Sequence, residues 1–395
     1  MAAETIADVG AVASATSTRR AVQPRVAEAV TQRGRTAFVR GLRSHHPVVL
    51  LVAVALLYPV LFGVQALVVS GRYTVLPESL LLRNRHDDFM HVSYEVALLK
   101  RHPPTTPAVY LVGGSSMREC IASGLALGRA LSARAGRRVA AYDLGSQNQT
   151  LGESMAIVEN LPPAPAGSSA RSVVVVGIAG NRFIVPSTQD ELETQGRELL
   201  LAAPKLAEFA KSDQARDFPA RLLPGILPGI ANYLMSYWRG HSTRLLEGHL
   251  PYTTYVHHKY TQSHVWSLSH KRDKVAFWVK KNGRAFWSNV RYNARLLDLV
   301  VRTARQRGFR VVLLELPENT TAVGAAYDPY KAVYTPLAER IAARNGAIYL
   351  RPQQSDAVKL VNTDFYDITH LVEPGRAKWQ HYLAEQLAPL LEAGR

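Results

Sequence analysis

The chain has 395 residues, of which 47% are hydrophobic and 20% are charged. This apolar content excludes a wholly disordered chain, because it is enough to bury a sizeable core. The single cysteine, Cys120, excludes an internal disulfide framework and any zinc cluster built on cysteines. The formal net charge of +16 at first suggests a nucleic-acid partner, so the position of that charge along the chain matters.

Part of the charge lies in an N-terminal tail. Residues 1–46 contain seven Arg, three acidic residues and one aromatic residue, Phe38, which is typical of a disordered basic tail. The chain after Gly71 carries 40 Lys and Arg against 28 Asp and Glu, a net charge of +12. Because no nucleic-acid-binding motif accompanies these charges, we expect no nucleic-acid partner.

A transmembrane helix is predicted at 47–71. This run contains no charged residue and one strongly polar residue, Gln65, and at about 1.5 Å per residue it can span a hydrocarbon core of about 30 Å. Pro59 is tolerated in a membrane helix. A buried core helix and a cleaved signal peptide are the alternatives. Core helices seldom stay uncharged for so long, and signal peptides have shorter apolar runs followed by a small-residue cleavage site.

The basic residues on either side of this span bear on its orientation. Four Arg lie in the twenty residues before the span and three in the twenty after it. By the positive-inside rule this difference favours a cytoplasmic N-terminus. We therefore expect a single-pass protein of the inner (cytoplasmic) membrane with its C-terminal domain in the periplasm or outside the cell.

The remaining chain has the pattern of an α/β domain. Residues 72–107 are expected to form a membrane-proximal connector, and 108–395 one domain. Five short apolar runs alternate with helical patterns there, which predicts a parallel sheet with helices on both faces. The runs are Ala108–Gly113, Arg138–Gly145, Ser172–Gly180, Arg310–Pro317 and Ala347–Pro352. Between about 185 and 286 the alternation stops, which indicates a largely helical insertion.

Polar residues follow these strands, where open α/β sheets bind ligands. Gly114-Ser115-Ser116 follows the first strand, Asp143 to Thr150 the second, and Gly180-Asn181-Arg182 the third. Near the C-terminus, Asp367 precedes His370 by three residues, a spacing that lets a carboxylate orient an imidazole. Taken singly, each of these pieces is also an ordinary helix cap or turn.

In this order the four pieces resemble the sequence blocks of the SGNH (GDSL-like) hydrolase family, over 108 to the C-terminus apart from the insertion. The resemblance implies a three-layer, flavodoxin-like parallel sheet and a Ser-His-Asp triad. It matches Gly114-Ser115-Ser116 with the family's Gly-Asp-Ser block, which makes Ser116 the nucleophile beside Asp367 and His370. The implied oxyanion hole consists of the Ser116 N–H, the Asn148 N–H and the Asn181 side chain, with Gly145 as the alternative to Asn148.

Two departures from the family pattern stand out. Ser115 replaces the Asp of the first block, a variant of membrane-anchored members that assist the O-acylation of cell-envelope polymers. Asn148 stands where the family has a glycine whose N–H faces the oxyanion. Asn is suited to that position better than most residues, because it tolerates a positive φ.

The resemblance implies a membrane-anchored, extracytoplasmic esterase or O-acyltransferase that acts on acyl esters, expected to be acetyl, of a cell-envelope polysaccharide or glycolipid. A multi-pass membrane O-acyltransferase is the expected protein partner. The alternative is a non-catalytic SGNH-like component that binds polymer or acts as a scaffold in envelope polysaccharide modification or export. We expect no cofactor and no metal, because the insertion's histidines form no His-x-x-x-His or His-Glu-x-x-His pattern. The basic run from Lys271 to Lys274, with Lys280 and Lys281, is typical of a solvated face.

Overall fold

The computed structural model describes residues 47–164, 172–186, 200–212, 226–239, 251–253 and 265–392. The chain divides into two units at the boundary between Gly63 and Val64. The basic tail predicted at 1–46 lies outside the described residues.

The apolar run forms one helix, α1 (Pro47–Val69), which continues through Pro59. It is long and apolar enough to cross a membrane, and none of its most apolar stretch is buried inside the protein. That exposure is unlike a core helix, whose apolar side chains pack against the rest of the fold.

The second unit contains five strands and a larger set of helices. The strands are β1 (Ala108–Val112), β2 (Ala140–Asp143), β3 (Val173–Ile178), β4 (Arg310–Glu315) and β5 (Ile348–Leu350). The helices are α2 (Glu78–Leu81), α3 (Asp88–Arg101), α4 (Ser115–Arg118), α5 (Gly124–Ala135), α6 (Leu151–Asn160), α7 (Pro204–Ser212), α8 (Leu227–Arg239), α9 (Leu268–Gln306), α10 (Thr320–Val323), α11 (Asp328–Asn345) and α12 (Glu373–Leu391). Short 3-10 helices lie at Arg72–Val75, Gly180–Phe183, Gly324–Tyr327 and Asn362–Asp364.

The strands form one parallel sheet in the order β2-β1-β3-β4-β5. This order is the flavodoxin-like one, so the predicted fold class is confirmed. Each strand lies within the apolar run that predicted it. Strands β1 and β3 are buried along their whole length, which explains why they are almost entirely apolar.

Helices cover both faces of the sheet and make three layers. Successive residues of β1 point to opposite faces: Tyr110 belongs to one hydrophobic cluster and Leu111 to the other. The first cluster includes side chains of α3, α6, α9 and α11. The second includes side chains of α5 and α12.

Two expected boundaries differ from the structure. The connector predicted at 72–107 includes α3, whose Val92 and Val96 belong to the core, so its second half is part of the domain. The end of the insertion, expected near 286, falls inside the unbroken helix α9. The buried residues of α9 keep one helical face on both sides of that point; they include Val275, Phe286, Val290 and Leu297.

The strand order also determines where a ligand site is expected. From β1 the chain crosses to β2 on one side and then returns to β3 on the other side of β1. The carboxyl ends of β1 and β3 therefore flank the point where the strand order reverses, which is the usual ligand crevice of this architecture.

Candidate active site

The turn after β1 delivers two serines to this crevice. Strand β1 ends at Val112, Gly113 and Gly114 make the turn, and α4 begins at Ser115. The turn is too crowded for side chains, because a Cβ on Gly113 would lie 2.8 Å from the Met117 Cβ. Ser115 is partly exposed, whereas Ser116 is only 8% exposed.

Asp367 and His370 lie on one tight loop. Phe365 pairs with Leu371 in an antiparallel bridge, and the Tyr366 N–H donates to the His370 carbonyl at 2.9 Å. Within the loop, Asp367 Oδ1 accepts the His370 N–H at 2.9 Å, and Asp367 Oδ2 lies 2.8 Å from His370 Nδ1. The carboxylate therefore orients both the backbone and the ring of the histidine, as the three-residue spacing predicted.

The other nitrogen of the ring faces Ser115. His370 Nε2 lies 2.9 Å from Ser115 Oγ. Ser116 Oγ instead donates to Thr369 Oγ1 at 3.1 Å. The contact with His370 that was expected of Ser116 is thus made by its neighbour, because successive residues at a helix start point about 100° apart.

The length of β1 is the signal that distinguishes the two serines. Since the strand ends at Val112, both glycines are needed for the turn, and Ser115 becomes the first residue of the helix. The Gly-Asp-Ser block that was expected at Gly114-Ser115-Ser116 therefore fits Gly113-Gly114-Ser115 instead. Gly114 then occupies the second position of the block, which had been assigned to Ser115. A side chain there would meet the Arg182 guanidinium, whose Nη2 is 3.0 Å from the place of a Cβ.

The electrostatics of the pair suit proton transfer. Burial alone would raise the pKa of Asp367, but His370 and the backbone N–H groups of Thr369 and His370 hold it below its ordinary value. Burial alone would lower the pKa of His370. The Asp367 carboxylate outweighs this effect, so the pKa of His370 is raised above its ordinary value. Glu119 also raises the pKa of His370, whereas Arg118 lowers it. The arrangement therefore stabilises the imidazolium that forms when His370 accepts a proton.

A cavity of about 510 Å³ opens beside the serines, and it collects most of the predicted oxyanion residues. Asn148 and Asn181 both line it together with Ser115 and Ser116. Asn148 has a φ of 53°, the left-handed conformation that its residue type was expected to tolerate. Asn181 lies exposed on the 3-10 helix directly after β3.

Gly145, the alternative to Asn148, is not among the residues that line this cavity. Its N–H donates to Asp143 Oδ1 at 3.2 Å, and it lines a separate cavity of about 190 Å³. Burial raises the pKa of Asp143 to about 7. The Gly145 N–H is therefore already used within the second loop, whereas Asn148 lines the same cavity as the serines.

Two residues that the sequence analysis did not single out hold the loop of Asp367 and His370. Lys271 is fully buried, and its Nζ donates to the carbonyls of Asn362 and Phe365 at 3.0 and 2.8 Å. The Asn319 N–H donates to the Ile368 carbonyl at 2.9 Å. Lys271 does not belong to a solvated face as expected, because it precedes the buried Val275 by four residues and so shares its side of α9.

No group of three or more His, Cys, Asp or Glu side chains is arranged to hold a metal ion among the described residues. Five of the insertion's histidines, His241, His249, His257, His258 and His264, lie outside those residues. The site described above consists of a serine, a histidine and a carboxylate beside amide donors.

No protein-family model and no curated protein matches the chain. Among solved structures, it is similar to the lipase/acylhydrolase from Enterococcus faecalis, with 8% sequence identity and a TM-score of 0.34. That match covers 73% of this chain and 100% of the other.

Proposed function

We propose that this protein is a serine esterase or O-acyltransferase of the SGNH hydrolase type, with Ser115 as nucleophile, His370 as general base and Asp367 as its orienting acid. The observation that carries the proposal is the 2.9 Å contact between Ser115 Oγ and His370 Nε2, with Asp367 bound to the opposite ring nitrogen. Nucleophile, base and orienting group in hydrogen-bond reach are the signature of an activated serine.

In the first half of the reaction, His370 Nε2 takes the proton of Ser115 as Oγ attacks the carbonyl carbon of an acyl ester. The resulting imidazolium is stabilised by Asp367. When the tetrahedral intermediate collapses, the ester C–O bond breaks and His370 returns the proton to the leaving alcohol. The acyl group then remains on Ser115 as an ester.

The oxyanion of that intermediate needs hydrogen-bond donors. The Ser115 N–H at the start of α4, the Asn148 N–H and the Asn181 side-chain amide are the donors we assign. The left-handed backbone of Asn148 and the cavity that it shares with Asn181 support this assignment.

In the second half, His370 takes a proton from an incoming hydroxyl as the hydroxyl oxygen attacks the acyl-serine. The bond between the acyl carbon and Ser115 Oγ then breaks, and His370 returns the proton to Ser115 Oγ. Water as acceptor makes the protein an esterase, and a sugar hydroxyl makes it an O-acyltransferase. The two activities share every residue of the triad.

The cellular substrate we propose is an acyl ester, expected to be acetyl, of a cell-envelope polysaccharide or glycolipid. Helix α1 supports this choice, because a membrane anchor raises the effective concentration of membrane-bound donors and acceptors around the site. A multi-pass membrane O-acyltransferase is the partner that would supply acyl groups across the membrane.

The test is hydrolysis of para-nitrophenyl acetate by the full-length protein purified in detergent. We expect release of nitrophenol above the uncatalysed rate, lowered about 10³-fold or more by Ser115→Ala. Equal rates for wild type and Ser115→Ala would contradict the proposal. That result would favour the non-catalytic, polymer-binding alternative.

A further inference from the structure

A buried cation with an unused donor lies against the wall of the cavity. Arg182 follows Asn181 directly and lines the cavity with it, although its side chain is only 3% exposed. Its Nη2 is buried and has no hydrogen-bond partner among the described residues. A buried charged donor left unpaired costs free energy unless a ligand or an ordered water completes it.

The charge of Arg182 is present at neutral pH. Burial lowers the pKa of its guanidinium to about 10, while the Glu153 carboxylate acts in the opposite direction. Glu153 itself accepts the Thr150 N–H in the helix cap of α6. The guanidinium is thus a positive group at the cavity wall whose buried Nη2 has no acceptor among the described residues.

The rest of the cavity lining is also basic or neutral. Lys281 of α9 also lines the cavity, and it is exposed. The remaining polar side chains are neutral amides and hydroxyls, and none of the described residues that line the cavity is acidic. A guanidinium, an ammonium and several amide donors are a suitable set for the oxygens of an oxyacid.

We propose that Arg182 and Lys281 bind an anionic oxyacid group, a carboxylate or a phosphate, carried by the acylated sugar. The inference rests on the proposed function and names its substrate class, which is acyl esters of acidic sugars rather than of neutral ones. The anionic group holds the sugar in the cavity while its ester reaches Ser115.

The first test compares substrates that differ only in the charged group. Purified full-length protein is assayed with mono-O-acetyl glucuronate, mono-O-acetyl glucose 6-phosphate and mono-O-acetyl glucose. We expect kcat/KM to be at least about 10-fold higher for one of the two acidic sugars, as hydrogen bonds to charged groups typically contribute. Which acidic sugar is preferred tells carboxylate from phosphate. Equal values for all three would overturn the proposal.

Two lysines of α9 provide a matched pair of variants. Lys280 is exposed like Lys281 but does not line the cavity. We expect Lys281→Gln to lower the acidic-to-neutral ratio of kcat/KM several-fold and Lys280→Gln to keep it. Arg182→Gln is expected to lower the ratio further. Because that buried variant can fail to fold, Lys281→Gln is the decisive one, and an unchanged ratio in it counts against the inference.

A binding measurement keeps this inference separate from the proposed catalysis. Calorimetric titration of the Ser115→Ala variant with glucuronate, with glucose 6-phosphate and with glucose needs no turnover. Binding of the acidic sugar without any esterase activity in wild type would support the anion site and contradict the proposed function. Turnover without preference for the acidic sugars would support the proposed function and contradict the anion site.

Discussion

Ser115 Oγ lies 2.9 Å from His370 Nε2 across a sequence separation of 255 residues, and this contact brings together the end of β1 and the loop before α12. Adjacent Ser116 is tied to Thr369 of the same loop. The two contacts hold the serine turn after β1 and the histidine loop in one arrangement. Only the contact of Ser115 can move a proton from a serine to the imidazole.

The pH dependence of activity is expected to follow His370. The ring must be neutral to accept the Ser115 proton, so kcat/KM should rise as the pH rises through its pKa. Because Asp367 raises that pKa, the midpoint should lie above the usual value of about 6.5. In Asp367→Asn the opposing effect of burial remains, so we expect the midpoint to move to lower pH and kcat to fall.

The matched control for this profile is Asp143→Asn. Asp143 also titrates near neutrality, since burial raises its pKa to about 7. Its variant should keep the midpoint of wild type. An unchanged midpoint in Asp367→Asn, or a shifted one in Asp143→Asn, would contradict the assignment of the titration to His370.

Asn148 should act through its backbone. If its N–H faces the oxyanion, Asn148→Gly keeps both the donor and the positive φ, and kcat should stay within a few-fold of wild type. Asn148→Val strains a conformation that β-branched residues avoid, and we expect a loss of about 10²–10³ in kcat, typical of one lost oxyanion donor. Equal kcat values for the two variants would argue against the backbone role.

Asn181 should act through its side chain. Asn181→Ala removes an exposed amide, so the melting temperature should hardly change while kcat falls by about 10²–10³. Asn181→Asp keeps the size but replaces a donor by an acceptor, and it should be as inactive. Retained kcat in Asn181→Ala would exclude this residue from the oxyanion hole.

Lys271 should matter to stability as well as to rate. Lys271→Met leaves the carbonyls of Asn362 and Phe365 without their buried donor, which costs about 1–3 kcal/mol in the free energy of unfolding. We expect a lower melting temperature together with a lower kcat, because the loop of His370 loses its support. Lys280→Met, on the exposed side of the same helix, should alter neither the melting temperature nor kcat. A Lys271→Met protein with wild-type stability would contradict the role assigned to the Lys271 hydrogen bonds.

Membrane topology can be tested by thiol labelling. The only cysteine, Cys120, is buried, so background labelling should be low. In cells whose outer membrane is permeabilised and whose inner membrane is intact, an impermeant maleimide should label Arg272→Cys. It should leave Ser14→Cys unlabelled until the cells are lysed. The reverse pattern would place the α/β domain in the cytosol and remove the envelope substrate from the proposal.

Much of the fold was predictable because each strand is a short, strongly apolar run between turn signals. Alternation with helices then left a parallel sheet as the natural solution. The ends of the insertion were harder, since α9 is amphipathic throughout and nothing at 286 interrupts its apolar face. The histidine loop was predictable from the local spacing of Asp367 and His370.

The choice between Ser115 and Ser116 was not predictable in the same way. Both serines follow the glycines, and the one that meets His370 depends on where β1 ends, a shift of one residue. Lys271 was missed for a related reason. A lysine in a basic run looks solvated unless the register of the helix places it beside the buried Val275.

The most direct measurement is labelling by a fluorophosphonate probe, with the adduct located by peptide fragmentation. The account predicts a covalent adduct on Ser115 in wild type. Ser116→Ala should be labelled as fully as wild type, with at most a modest loss in the rate of labelling. Ser115→Ala and His370→Ala should not be labelled. An adduct on Ser116, or labelling that survives Ser115→Ala, would contradict it.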